Sequence, residues 1–170
     1  MMKVKTFFIL LASLLLITGC TQEEEDAKQP SEKPKTTTNS EQKYPLTGIS
    51  TNEDIDRRAI AVTINNHPKA RPQTGLADAD IVYELLAEAN ITRFLAVYQS
   101  TWPEEVGPIR SARDYYIELA KGLDCIYVCH GNSPDAKTML ANNYIEALHG
   151  LKYDGTLFTR SQDRKAPHNS

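Results

Sequence analysis

Signatures for metal or nucleotide binding are missing from this chain. Its 170 residues include three cysteines and four histidines. His67, His130, His149 and His168 lack the short spacing of a zinc site, and no Cys-x-x-Cys pair offers thiolates. The eight glycines form neither a phosphate-cradling loop followed by lysine nor a dinucleotide fingerprint. No metal and no cofactor is therefore expected. A Gly-x-Ser-x-Gly nucleophile elbow is also absent. Basic excess is lacking as well. The formal net charge is −3, whereas a nucleic-acid module usually carries a clear positive surplus. Nucleic acid is thus excluded as the expected partner.

No apolar run is long enough to span a bilayer, which takes roughly 20 residues. The longest, Thr6 to Thr18, follows Lys3 and Lys5 and ends in Leu16-Ile17-Thr18-Gly19-Cys20. A positive start, a short apolar stretch and a small residue before a cut are the layout of a secretory signal peptide. A cysteine directly after the cut marks a bacterial lipoprotein: its thiol carries the lipid, and its new amino group can be acylated. Residues 1–19 are therefore expected to be removed and Cys20 to carry acyl chains such as palmitate. Two or three chains anchor firmly where one binds only marginally. The plainer alternatives are an ordinary signal peptide with an incidental cysteine, or an uncleaved anchor. Cleavage removes two lysines and no acid, taking the formal charge from −3 to −5.

Apolar side chains are nearly missing from residues 21–43, where Thr-Gln-Glu-Glu-Glu-Asp leads into Lys, Pro, Ser and Thr. Such a stretch cannot offset its chain entropy by burial, so residues 20–43 are expected to form a disordered tether behind the lipid. At about 5–6 Å × √n its mean reach is roughly 25–30 Å.

Residues 44–170 hold the apolar content for one α/β domain with a mixed sheet and helices. Ala59–Ile64 reads as a central strand, and Ile81–Leu86 and Thr92–Gln99 as a hairpin turning at Glu88-Ala-Asn90, a helix through Leu85–Ala89 being the rival. Ser111 and Asp114 fit a capping box for a helix from Ala112 to about Gly122. Cys125–His130 reads as a strand. Four residues of strand separate Cys125 and Cys129 by about 13 Å, beyond the Cα reach of a disulfide at about 7 Å. Two free, buried thiols are expected. Ser133 and Pro134 then suit the N-cap and first position of a helix reaching Asn142 or beyond.

Four places could carry chemistry. The turn His130-Gly131-Asn132-Ser133 follows a central strand and opens a helix, where free amides favour an anion. There His130 is either an acid, base or donor, or a satisfied strand-end residue. Ser133 is either a weak nucleophile candidate or only a cap. In Gly107-Pro-Ile-Arg110-Ser111-Ala-Arg113, two arginines bracket a helix start, opposite to what the helix dipole favours. They either hold an anion or pair with Asp114 and nearby acids. The loop from Asn65 to Gly75 contains Arg71 between two prolines, and the terminal stretch contains His168. Either lines a site or crosses an edge.

Several of these segments together resemble the YerB-like family of bacterial lipoproteins. They are Asn66-x-Pro68-x-Ala-Arg-Pro-Gln-Thr-Gly-Leu76, Ala79-Asp-Ile-Val-Tyr-Glu84, Ile91-Thr-Arg-Phe94, Gly107-Pro-Ile-Arg-Ser-Ala-Arg113 and Lys165-Ala-Pro-His-Asn169. The resemblance covers about residues 44–170. It implies a lipoprotein of Gram-positive type, held at the outer face of the cytoplasmic membrane, with a domain of unknown function. Its motifs fall on Arg71, Arg110, Arg113, His130, Ser133 and His168; Asn132 stands where relatives often show a small residue. Relatives continue into a second region, so this chain is expected to be a fragment. The leading expectation is a binding protein for an anionic envelope component, through Arg71, Arg110, Ser111, Arg113, His130, Asn132, Ser133 and His168. The alternatives are an envelope hydrolase or transferase using His130, and a module that docks a membrane-associated protein.

Overall fold

The computed structural model describes residues 42–170, so Cys20, the signal peptide and nearly all of the tether lie outside the described residues. Structure begins slightly before the expected boundary. A short antiparallel pair, β1 (Gln42–Lys43) and β2 (Ser50–Thr51), brackets Tyr44, which is buried.

The expected α/β architecture is found. Five strands form one mixed sheet: β3 (Ile60–Asn65), β4 (Ile81–Leu86), β5 (Thr92–Tyr98), β6 (Ile126–Cys129) and β7 (Ala147–His149), in the order β4-β5-β3-β6-β7. β3 is central. It runs antiparallel to β5, with Ile60 opposite Tyr98, and parallel to β6, with Ile60 opposite Ile126. Its apolar Ile-Ala-Val-Thr-Ile run is continuous because both of its faces are covered. β4 and β5 form the expected hairpin rather than a helix. Ala87 N–H donates to Ile91 O at 2.8 Å, and Ala89 and Asn90 adopt φ of 51° and 57°. Two left-handed central residues match the twist of a two-residue hairpin.

One face packs against helices α1 (Asp114–Gly122) and α2 (Pro134–Ala141). Ala61, Leu95, Val97, Tyr127 and Cys129 meet Tyr116, Ile117, Ala120 and Ala136 there. The other face is covered by loops: Val62, Ile64, Ala96, Tyr98 and Val128 meet Ile109 and Phe158. Strand alternation divides the side chains between the two cores. Cys125 and Cys129 are buried and unpaired in the helix-side core. Burial pushes their thiols up to about 11 and about 12 respectively.

The expected capping box is not formed. α1 starts two residues late, at Asp114, and its N-cap, Arg113, makes no side-chain cap. The backbone of residues 108–112 is used elsewhere, inserted between the diverging ends of β3 and β6. Asn65 N–H donates to Pro108 O and Arg110 N–H to Thr63 O, both at 2.8 Å. His130 N–H donates to Arg110 O at 3.0 Å, and Ala112 N–H to Gly131 O at 2.9 Å. A segment held in sheet pairing cannot also be the first turn of a helix. Ser111 Oγ instead donates to His130 O at 3.3 Å. Ser133 does cap α2, accepting from Ala136 N–H at 3.3 Å with Pro134 in the first turn. β7 and the single-turn α3 (Gly150–Tyr153) follow α2. Among the described residues, no helix is long and apolar enough to cross a membrane.

Candidate functional site

The segment wedged between β3 and β6 places three arginines at one end of the sheet. Arg93 alternates with Leu95 and Val97 on the helix side of β5 and is almost wholly buried. Its Nη1 donates to Ser111 O at 2.9 Å, and its Nη2 to Glu88 Oε2 at 2.8 Å. Arg113 engages the other Glu88 oxygen through Nε and Nη2, and its Nη1 donates to Ala112 O at 2.7 Å. Glu88 projects from the β4–β5 turn, so one carboxylate clamps two guanidinium groups. Such charge-assisted hydrogen bonds are stronger than neutral ones and fix the two guanidinium groups relative to each other.

Arg110 is different. Its Nη1 donates to Pro167 O at 3.2 Å, while its buried Nε has no partner among the described residues. Burial, followed by the Arg113 charge, holds its pKa below the usual arginine value, and Glu88 opposes them. For Arg93 the order is burial, then Arg113, with Glu88 again opposing. His168 lies beside Arg110. Its ring stacks on His67 with centroids 4.6 Å apart and meets Asn65 Nδ2 at 3.0 Å. Partial burial, then His67, Arg110 and Lys69, disfavour its protonation. Glu88 is therefore the counter-ion of two of the three guanidinium groups, and Arg110 is held by the Pro167 carbonyl alone. The arrangement can accept an anion without further rearrangement of charge.

The remaining candidates lie elsewhere. Arg71 is spent on its own loop, donating to Asn66 Oδ1 at 3.0 Å and Asn66 O at 3.2 Å. His130 shares the loop-covered face with Val128 and packs edge-on against Phe158, ring centroids 6.0 Å apart. Arg160 Nη2 lies 3.1 Å from His130 Nε2, and because arginine can only donate, that nitrogen is the acceptor. Burial, then Arg160, lowers the His130 pKa. Asp154 completes the cluster, 3.2 Å from Arg160. Asn132 Nδ2 meets His149 Nε2 at 2.8 Å. The Ser133 hydroxyl is occupied by the α2 cap. The structure thus groups Arg110, Arg113 and His168, with the Ser111 carbonyl as a brace. It does not bring the side chains of His130, Asn132 or Ser133 to them, whereas Arg71 lines a cavity together with Pro167 and His168. Arg93 and Glu88 are additions that the sequence reading did not single out. A charged residue in phase with Leu95 and Val97 was the available signal.

Among the described residues, no group of three or more His, Cys, Asp or Glu side chains could hold a metal ion. A cavity of about 630 Å³ lies beside Arg71, Pro167 and His168, and another, of about 560 Å³, opens on the loop-covered face over Val62, Ile109 and Val128.

Residues 46–170 match the family model described as "Protein of unknown function (DUF3048) N-terminal domain", and the chain belongs to that family. In particular, it is similar to "Putative lipoprotein YerB" of Bacillus subtilis (strain 168), 55% identical over 129 residues, covering 75% of this chain and 39% of that protein. The crystal structure of the YerB protein from Bacillus subtilis superposes with a TM-score of 0.73 at 54% identity, covering 75% of this chain and 44% of that one. The chain therefore spans less than half the length of these relatives.

Proposed function

We propose that this protein is a lipoprotein of the outer face of the cytoplasmic membrane, anchored through acylated Cys20, that holds an anionic envelope group on Arg110. Similarity to a lipoprotein of Bacillus subtilis and the Leu16–Cys20 motif support the anchor. Residues 1–19 serve as the signal peptide, 20–43 as the tether and 44–170 as the binding head. Labelled palmitate entering the wild-type chain but not Cys20→Ala, with release of that variant from membranes, tests the anchor.

The observation that carries the binding role is the partnerless, buried Nε of Arg110 within a cluster of surplus positive charge. A buried donor without an acceptor is uncommon and calls for an occupant such as an ion or water. Arg93 and Arg113 are held by Glu88 and by carbonyls, so they form the frame, and Arg110 is the hand. Pro167 and His168 cover it and shift when a phosphate or carboxylate enters. Calorimetric titration of the detergent-solubilised full chain with inorganic phosphate and with acetate is the test. Arg110→Ala is expected to abolish binding, Arg113→Ala to weaken it, and Asn132→Ala to leave it unchanged. Equal binding by wild type and Arg110→Ala would end the proposal.

A further inference from the structure

Three polar groups on the loop-covered face form a triangle. Arg160 Nη2 lies 3.1 Å from His130 Nε2 and 3.2 Å from Asp154 Oδ2. His130 Nε2 is in turn 3.9 Å from that same Asp154 oxygen. A guanidinium has no lone pair to offer, so the contact with Arg160 requires a bare Nε2 and a neutral ring. The His130 side chain is 9% exposed, whereas those of Asp154 and Arg160 are 43% and 41% exposed. Gly150 and Phe158 pack on the ring and hold it in place. Its two ionic partners, at the surface, are free to move. The charged and titratable groups that face the ring are Arg160, Asp154 and His149. Burial and then Arg160 oppose its protonation, Asp154 favours it, and His149 adds slightly to the opposition.

We infer that this triangle is an acid-operated switch: on protonation His130 takes Asp154 as its partner, and Arg160 is released to solvent. The proton lands on Nε2, the atom that accepted from Arg160. That hydrogen bond is therefore lost, and two positive charges are left facing each other. The Asp154 carboxylate needs only a small rotation to accept from the new N–H in a charge-assisted bond. Arg160, already partly in water, regains the rest of its hydration. His149 cannot replace His130, because its Nε2 is engaged by Asn132 Nδ2 at 2.8 Å. Arg160 ties down the far end of the 154–160 segment. Within that segment Gly155 N–H donates to Phe158 O at 2.8 Å, and Phe158 N–H to Tyr153 O at 3.2 Å. Leu157, Phe158 and Thr159 wall the cavity of about 560 Å³. Releasing Arg160 loosens that wall and leaves the strands untouched. A head outside the membrane, as proposed above, meets the pH of its surroundings directly, so the switch has a signal to read.

The test is an NMR pH titration of the isotope-labelled full chain in detergent, with amide hydrogen exchange read on the same samples. The Phe158 amide shift is expected to follow the midpoint of His130 and not that of His149. Its exchange protection, corrected for the intrinsic rate, is expected to fall about tenfold from one pH unit above that midpoint to one unit below, while β3 amides keep theirs. Asp154 and Arg160 are exposed enough for their variants to fold. Arg160→Gln is expected to move the His130 midpoint to higher pH and to leave Phe158 weakly protected throughout. Asp154→Asn is expected to move the midpoint to lower pH. In His130→Gln, Phe158 protection is expected to be the same at both pH values. A His130 midpoint that either exposed substitution leaves unmoved would overturn the inference. So would wild-type protection that is constant across the midpoint, a loss spread evenly over β3, or an equal fall in His130→Gln.

Discussion

Two ionic clusters stand at the ends of β5 and β6, either side of β3, and treat charge in opposite ways. On the helix side, Glu88 answers Arg93 and Arg113, and Arg110 is left over. On the loop side, neutral His130 accepts from Arg160, whose charge is matched by Asp154. The second cluster balances and closes on Phe158 and Gly150. It is a lock that fastens the 154–160 segment to the sheet. The first is held open by surplus charge. Arginine count alone would not separate them, since what matters is whether each guanidinium already has its counter-ion.

The largest effect that could break this contrast is removal of the frame. Arg93→Ala leaves one Glu88 oxygen without its donor and Ser111 O with only the longer bond from Arg113 Nη1 at 3.4 Å, and breaking such a buried pair costs about 3–5 kcal/mol. Glu88 is 55% exposed and recovers water, so about 3 kcal/mol is expected from urea unfolding. An equal loss in Arg110→Ala would show that Arg110 is also frame. Next comes the lock. A methyl at Gly150 would run into the His130 ring and press on Phe158, and overpacking of this kind costs about 1–3 kcal/mol. Gly150→Ala is expected to lower the thermal midpoint while phosphate binding persists. Ser133→Ala removes the α2 cap, worth about 1 kcal/mol, again with phosphate binding intact. Lost binding in that variant would return Ser133 to the site.

The smallest effect is titration of the lock. Burial, then Arg160, depresses the His130 pKa, with Asp154 opposing and His149 adding slightly. The unfolded chain, with histidine near 6.5, then takes up the proton more readily than the folded one. Stability is therefore full above about pH 7 and falls as pH drops through about 6.5 toward the lower folded value. Urea midpoints at pH 7.5 and 5.5 are expected to differ less in His130→Gln than in wild type. His149 and His168 are also depressed and retain part of the slope.

The strands were legible because apolar alternation is a local property. Ile81–Leu86 coincides with its reading, and β3 and β5 differ from theirs by one residue. The Ser133 cap and the Glu88–Asn90 turn were readable for the same reason. The start of α1 was not, because Ser111-Ala-Arg-Asp114 satisfies a local rule while its backbone is claimed by β3 and β6, partners distant in sequence. β7, only Ala-Leu-His, is too short to show a period. The site was half legible. Two arginines in an odd position drew attention to Arg110 and Arg113, but Glu88, the partner of Arg113, lies 25 residues earlier, in what reads as a plain turn. Placing His130 with the arginines failed for a geometric reason. It follows Val128 by two residues and so faces the other way.

Burial governs the chemistry of the two cysteines. Oxidation and disulfide exchange proceed through the thiolate. With thiols pushed up to about 11 and about 12, the thiolate share near neutral pH is on the order of one in ten thousand or less. A head carrying Cys125 and Cys129 can therefore sit beyond the reducing cytoplasm with neither bridge nor chaperoned chemistry. It is redox-silent by burial alone.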